Sequence, residues 1–386
     1  MKKTLLLIVI YLAFISLGLP DTLLGSGWPS IYKSLNVPVH FAGIIAMIVA
    51  AGTVISSLFS ARLIKRFGTA TITAASVLTT ALALLGFAIS KDFIYLCLLA
   101  LPLGLGAGCV DVALNNYVAL HYKAKHMNWL HCFWGVGAAI GPFIMASYLA
   151  EGKSWTNGYS TVGWLQIGLF LVLLLSFPLW AKKENRQNED ASEQKMSFKT
   201  LRAVPGLKSA LAVFFCYCTI EATFGLWGAS YLVFTKGFKA EDAAKLVAIY
   251  YAGITIGRFV SGFASLKLSN QNLVKLGFGF IALGLVVLLL PFKTLLLVGF
   301  FLIGFGCAPI FPSLLHETPR NFGKTYSEAI MGLQMASAYV GITIMPLIFG
   351  KLASYIGHSS LIWFLGVVLL AMVYMNLNLN KRVAGS

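Results

Sequence analysis

The amino-acid sequence predicts an all-α polytopic membrane protein, with twelve transmembrane helices in two pseudo-symmetric six-helix bundles. Three observations lead there. First, 58% of the 386 residues are hydrophobic and only 11% are charged, where a soluble domain carries about 25% charged residues. Second, apolar runs long enough to cross a bilayer, about 18 residues or more, recur along the whole chain. Third, the chain matches itself at an offset near 200 residues, so its second half repeats its first.

The runs fall at roughly 4–32, 40–62, 68–90, 93–120, 127–149, 160–181, 207–235, 243–266, 271–290, 294–315, 325–350 and 358–379, and form spans one to twelve. Span one follows Lys2 and Lys3. It is too long for a secretory signal and lacks a small-residue cleavage site. Lys and Arg then choose sides. Lys2, Lys3, Arg62, Lys65, Arg66, Lys123, Lys125, the basic residues of 182–208, Lys267, Lys275, Arg320, Lys324, Lys381 and Arg382 gather on one face. Lys33, Lys91, Lys153, Lys236, Lys239, Lys245, Lys293 and Lys351 are left for the other. The positive-inside rule makes the richer face cytoplasmic, with both termini on it. The expected location is a cell membrane, crossed many times. Placement of this kind accounts for the net charge of +16 without nucleic acid.

The longest polar segment, around AKKENRQNEDASEQKMSFKT, separates spans six and seven and reads as a solvated linker. The expected organisation is an N-terminal bundle over 1–181, a cytoplasmic linker over 182–206 and a C-terminal bundle over 207–386. The repeat supports it. GLG at 104–106 meets GFG at 304–306, and Asp21 meets Glu221, at an offset of 200. AGTVISSLFS (51–60) meets AGITIGRFVS (252–261) at an offset of 201. Gly137 and Pro142 meet Gly341 and Pro346 at an offset of 204. Each half has an even number of spans, so the repeat is parallel, as in transporters whose halves are related by an axis along the membrane normal.

Asp21, Asp111, Glu221 and Arg258 lie inside spans. A charge at the bilayer centre costs about 2.5–3.5 kcal/mol on insertion scales, and such residues face the bundle interior or a water-filled cavity. The competing reading is structural: a pair, or a protonated acid, that fastens helices. Asn115 shares a helical face with Asp111, and Asn116 follows it. Span five offers His131 and Trp134, span seven Trp227 and span eleven Gln334. Carboxylates and amides bind hydroxyls, and an indole face covers the apolar side of a sugar ring. A tryptophan in a span is also common packing, and His131 is near enough to the cytoplasm to be simply wetted. Arg258 reads as a gate-closing contact, with Glu328 in the first turn of span eleven as a partner. In span ten, Pro309 and Pro312 of GCAPIFPS break the backbone ladder, tolerated at membrane depth where the freed groups are buried or line a cavity. The six cysteines read as packing residues, with no disulfide, metal or cofactor expected.

These pieces resemble the major facilitator superfamily over the whole chain. SARLIKRFG (60–68) is similar to its signature between spans two and three, with Leu63, Arg66 and Gly68 in place and Lys65 where the signature has an acid. Arg66 is therefore expected to act in gating. Within the superfamily the chain is similar to the fucose–proton symporter family. The resemblance rests on LPDTLLGSGWPSI, DVALNN, HCFWGVG, CYCTIEATFGLWGASYLV and APIFPSLL. It implies that spans one, four, seven and ten line the cavity. It also implies that Asp21 and Asp111 serve proton coupling and sugar binding, and that His131 and Trp134 stand where the family has amide side chains.

The expected function is proton-coupled secondary transport of a small neutral hydroxylated solute, a monosaccharide, by alternating access. Asp21, Asp111 and Glu221 handle protons; Asn115, Asn116, His131, Trp134, Trp227 and Gln334 contact the solute. Expected partners are the solute, protons and the bilayer, with the protein a monomer. Three carboxylates near carbonyls would also hold sodium. An exporter of lipophilic cations and a non-transporting membrane sensor are the alternatives. An enzyme is disfavoured: GLGAGC (104–109) imitates a phosphate loop, but it sits inside a span with no strand before it.

Overall fold

The structure is a computed structural model that describes residues 2–122, 124–180 and 204–384. The expected linker lies almost wholly outside them. Within the described residues, twelve helical spans are long and apolar enough to cross a membrane. Span one is α1 (Lys2–Asp21) and α2 (Leu23–Ser34); spans two to six are α3 (Ala42–Phe67), α4 (Thr69–Ile89), α5 (Phe93–His121), α6 (Ala124–Ala150) and α7 (Trp155–Ser176). Spans seven to nine are α8 (Leu207–Lys236), α9 (Ala240–Ala264) and α10 (Asn270–Leu289). Span ten is α11 (Leu295–Cys307) and α12 (Ile310–Phe322), and the last two are α13 (Lys324–Ile356) and α14 (Ser360–Ala384).

Local chemistry sets the breaks. Gly68, at φ 84°, ends α3 in a conformation that costs other residues a Cβ clash. Ser154 and Ser269 cap α7 and α10 by accepting from the backbone N–H of Thr156 and Asn272. Span ten breaks at Ala308–Pro309, where the sequence expected it. Span one also breaks, at Thr22 directly after Asp21. Pro20 has no N–H, so the carbonyl of Ser16 one turn earlier loses its helical donor. Gln166 Nε2 of span six donates to that oxygen at 2.9 Å instead, and Thr80 Oγ1 donates to Gln166 Oε1.

The repeat reappears as packing. A Cβ on Gly137 would strike the carbonyl of Ile15; one on Gly341 would strike the carbonyl of Phe215. Gly104 sits on Val49 as Gly304 sits on Tyr250, and Gly52 on Leu101 as Gly253 on Phe301. Helices in lipid gain from backbone approach of this kind, which small residues alone permit.

The halves meet in two places. Spans five and eight run against each other, with Gly135 on Thr255 and Trp129 edge-on to Phe259 at 6.4 Å. On the face away from the termini, Gly25 of α2 lies against the backbone of Gly225 and Leu226, and Gly43 against Leu347.

Candidate functional site: a charged cavity between the halves

A cavity of about 480 Å³ lies between the halves, within the size range of small-molecule sites. Its wall is mostly apolar. Span one brings Asp21 onto it, α5 brings Asp111 and α8 brings Glu221. Span five contributes His131 and Trp134, and span eight contributes Arg258.

Five of these six residues, all but Asp111, form one connected system. Trp134 Nε1 donates to Asp21 Oδ2 at 2.9 Å. The Arg258 guanidinium lies over the Trp134 ring, 4.9 Å from its centre, a cation–π distance. Arg258 also stands 3.9 Å from Glu221 Oε1 and donates to the His131 carbonyl at 3.5 Å. The chain Asp21–Trp134–Arg258–Glu221 therefore crosses from one half to the other. Asp111 stands apart from it. Asn115 Nδ2 donates to Asp111 Oδ1 at 2.9 Å and to its carbonyl at 3.0 Å. Among the described residues, Arg258 is the only Lys or Arg on the wall, against three carboxylates.

The other sequence-predicted residues are placed elsewhere. Trp227 is fully buried in the core, its Nε1 donating to the Pro346 carbonyl at 2.8 Å. Gln334, 2% exposed, accepts from Thr318 Oγ1 at 3.0 Å. Asn115 acts behind Asp111, and Asn116 is not on the wall. Arg66 is exposed, its guanidinium 5.2 Å from the Phe67 ring. Arg258 meets Glu221 deep between the halves, so its contact is with span seven; the Glu328 side chain lies outside the described residues. Sequence reasoning missed Tyr159, Gln166, Tyr217, Tyr251 and Tyr339, which the wall includes. For Gln166 there was a signal: Pro20 leaves a carbonyl that another span must satisfy. For the tyrosines there was none, because a tyrosine in an apolar run looks the same facing lipid, core or cavity.

The sequence profile of the Major Facilitator Superfamily matches residues 10–335. The chain belongs to this superfamily of membrane transporters, and is a multi-pass membrane protein. It is 26% identical over 355 residues to the glucose/mannose transporter GlcP of Bacillus subtilis, covering 88% of this chain and 86% of that one. It is 24% identical over 372 residues to a cis,cis-muconate transport protein of Acinetobacter baylyi, covering 89% and 86%. It is 25% identical over 381 residues to bypass of stop codon protein 6 of Saccharomyces cerevisiae, covering 89% and 76%. Two solved structures share the fold. A peptide transporter POT superposes with a TM-score of 0.78 at 14% identity over 99% of this chain and 95% of its own. The nucleoside transporter NupG gives 0.74 at 13% identity over 98% and 99%.

Proposed function

We propose that the protein is a proton symporter for a small neutral hydroxylated solute, a monosaccharide, which it moves by alternating access. The two halves, 1–181 and 207–386, rock about the cavity, with both termini cytoplasmic and the opposite face outside. The contacts of Gly25 and Gly43 then close the outer side.

The observation that carries this reading is the company of Asp21 and Asp111. Both acids share a small cavity with an indole, and the one guanidinium there already serves Glu221. A carboxylate held at membrane depth without a counter-ion is costly once the cavity closes to water unless a positive charge joins it, and a proton is the smallest. Once protonated, Asp111 or Asp21 can donate to a solute hydroxyl, so solute and proton assist each other's binding. Water entering from the cytoplasm then carries the proton away and the solute follows. Asn115 orients the Asp111 carboxyl, and Trp134 offers a ring face and holds Asp21. The relation to a glucose/mannose transporter agrees with this substrate class.

The test is uptake into proteoliposomes from a panel of labelled hexoses, with and without an inward proton gradient. Gradient-driven accumulation of one hexose, absent in Asp111→Asn, is the expected result. One observation favours the export of lipophilic cations instead. The wall is mostly apolar and aromatic, and its predicted amides Asn116 and Gln334 face elsewhere. Gradient-driven movement of a lipophilic cation, with no hexose moved, would replace the sugar reading.

A further inference from the structure

The outer closure carries two histidines that the transport cycle above does not use. We infer that His40 and His358 form a proton-sensitive latch on the seam, so that acid outside loosens the contact between the halves. The inference rests on the reading that the face away from the termini is the exterior.

The first histidine sits at the Gly43–Leu347 contact, where a Cβ on Gly43 would stand 2.8 Å from Leu347 Cα. His40 lies one turn before Gly43, and Lys351 one turn after Leu347 on the same face of α13. The two belong to opposite halves, each one turn from the same close contact. A proton on His40 therefore sets two like charges against each other across the seam. The other charged groups around it are Lys33 at the end of α2 and the exposed pair Lys91 and Asp92 ahead of α5, whose Phe93 ring lies 4.7 Å from Phe41. None of these neutralises Lys351.

The second histidine backs the other cross-half contact. Tyr32 of α2 meets Phe234 of α8 at 5.6 Å, and the His358 ring packs behind Phe234 at 4.7 Å and beside Trp227 at 5.9 Å. His358 lies in the turn between α13 and α14, and its Nε2 is buried without a hydrogen-bond partner among the described residues. At the outer ends of the elements around it the charged groups are Lys33, Lys236 and Lys351, all cations. Burial holds the His358 imidazole below its ordinary value. Closure is therefore supported fully above the ordinary histidine range, about 6.5, and loses that support as pH falls through it.

The experiment places spin labels on Lys91→Cys and Ser354→Cys, one on each half of the outer face. The six native cysteines are replaced, and distances are read in nanodiscs across the histidine range, about pH 7.5 to about 5.5. The expected result is an open population that grows about two- to fivefold on acidification, the worth of one exposed charge pair. His40→Gln and His358→Gln each reduce the response, and together they abolish it. Lys351→Glu reverses the His40 part, so acid tightens the seam. Asp21→Asn with Asp111→Asn leaves the response in place. A full response in the double histidine variant, or its loss in the double aspartate variant, overturns the latch. Labelling of Ser354→Cys by a membrane-impermeant maleimide on intact cells checks the sidedness separately. Its absence overturns the orientation, whatever the distances show.

Discussion

Asp21 and Glu221 occupy matching places, 200 residues apart, in halves that pack their glycines alike. Their surroundings are opposite. Glu221 lies in an unbroken helix with Arg258 3.9 Å away. Asp21 ends a helix and receives a neutral indole N–H at 2.9 Å. Arg258 on span eight corresponds to Ser57 on span two, so the N-terminal half has no counterpart of the guanidinium. One scaffold used twice has thus produced a half with a fixed ion pair and a half whose acids lack one. The lesson is that a repeat preserves packing while single substitutions divide the chemistry. On the symport reading proposed above, the travelling proton belongs to the N-terminal half.

Removing the unpaired acid breaks the comparison most completely. Asp111→Asn should abolish gradient-driven accumulation while retaining exchange of solute across the membrane, both read in proteoliposomes. Retained accumulation would take Asp111 out of coupling. Making the halves alike comes next. Ser57→Arg gives the N-terminal acids a cation at the repeated position and should suppress accumulation as strongly, with the fold intact by circular dichroism. Undamaged coupling would mean that the missing guanidinium is not what separates the halves.

Arg258→Ala should destabilise by about 1–3 kcal/mol, between the exposed and buried limits for an ion pair, because Glu221 is left without its partner. Adding Glu221→Gln should restore most of the loss in thermal unfolding. No recovery would show that Arg258 acts through Trp134 rather than Glu221. The smallest change is Trp134→Phe. It keeps a ring beneath Arg258 and removes only the donor to Asp21. Solute binding should weaken and its pH dependence shift, whereas proton-free exchange should change little.

Much of this was legible from residues alone. The apolar runs and the doubled glycine pattern specify the fold because lipid leaves a backbone few alternatives. The residues that share the cavity, Asp21, Asp111, Glu221, His131, Trp134 and Arg258, could be chosen because charge and polarity are scarce in such runs. What failed to transfer was direction. Trp227 and Gln334 satisfy their polar atoms on a nearby carbonyl and hydroxyl, which sequence spacing does not disclose. The pairing of Arg258 with Glu221 depends on how closely spans seven and eight approach. The break in span one hides in the run, since Pro20 alone does not say whether the helix bends or stops.

The seam at Gly25 has a mechanical meaning. There the halves touch through main chain, with Gly25 laid on Gly225 and Leu226. Parting main chain from main chain at that point requires no rotamer to turn. If the halves rock as proposed, friction at this point is low, and the speed of the motion is left to the lipid and to the charges deeper in the cavity. An added methyl there would strike the Gly225 carbonyl oxygen, so it would act as a wedge that holds the seam open rather than as a lost contact.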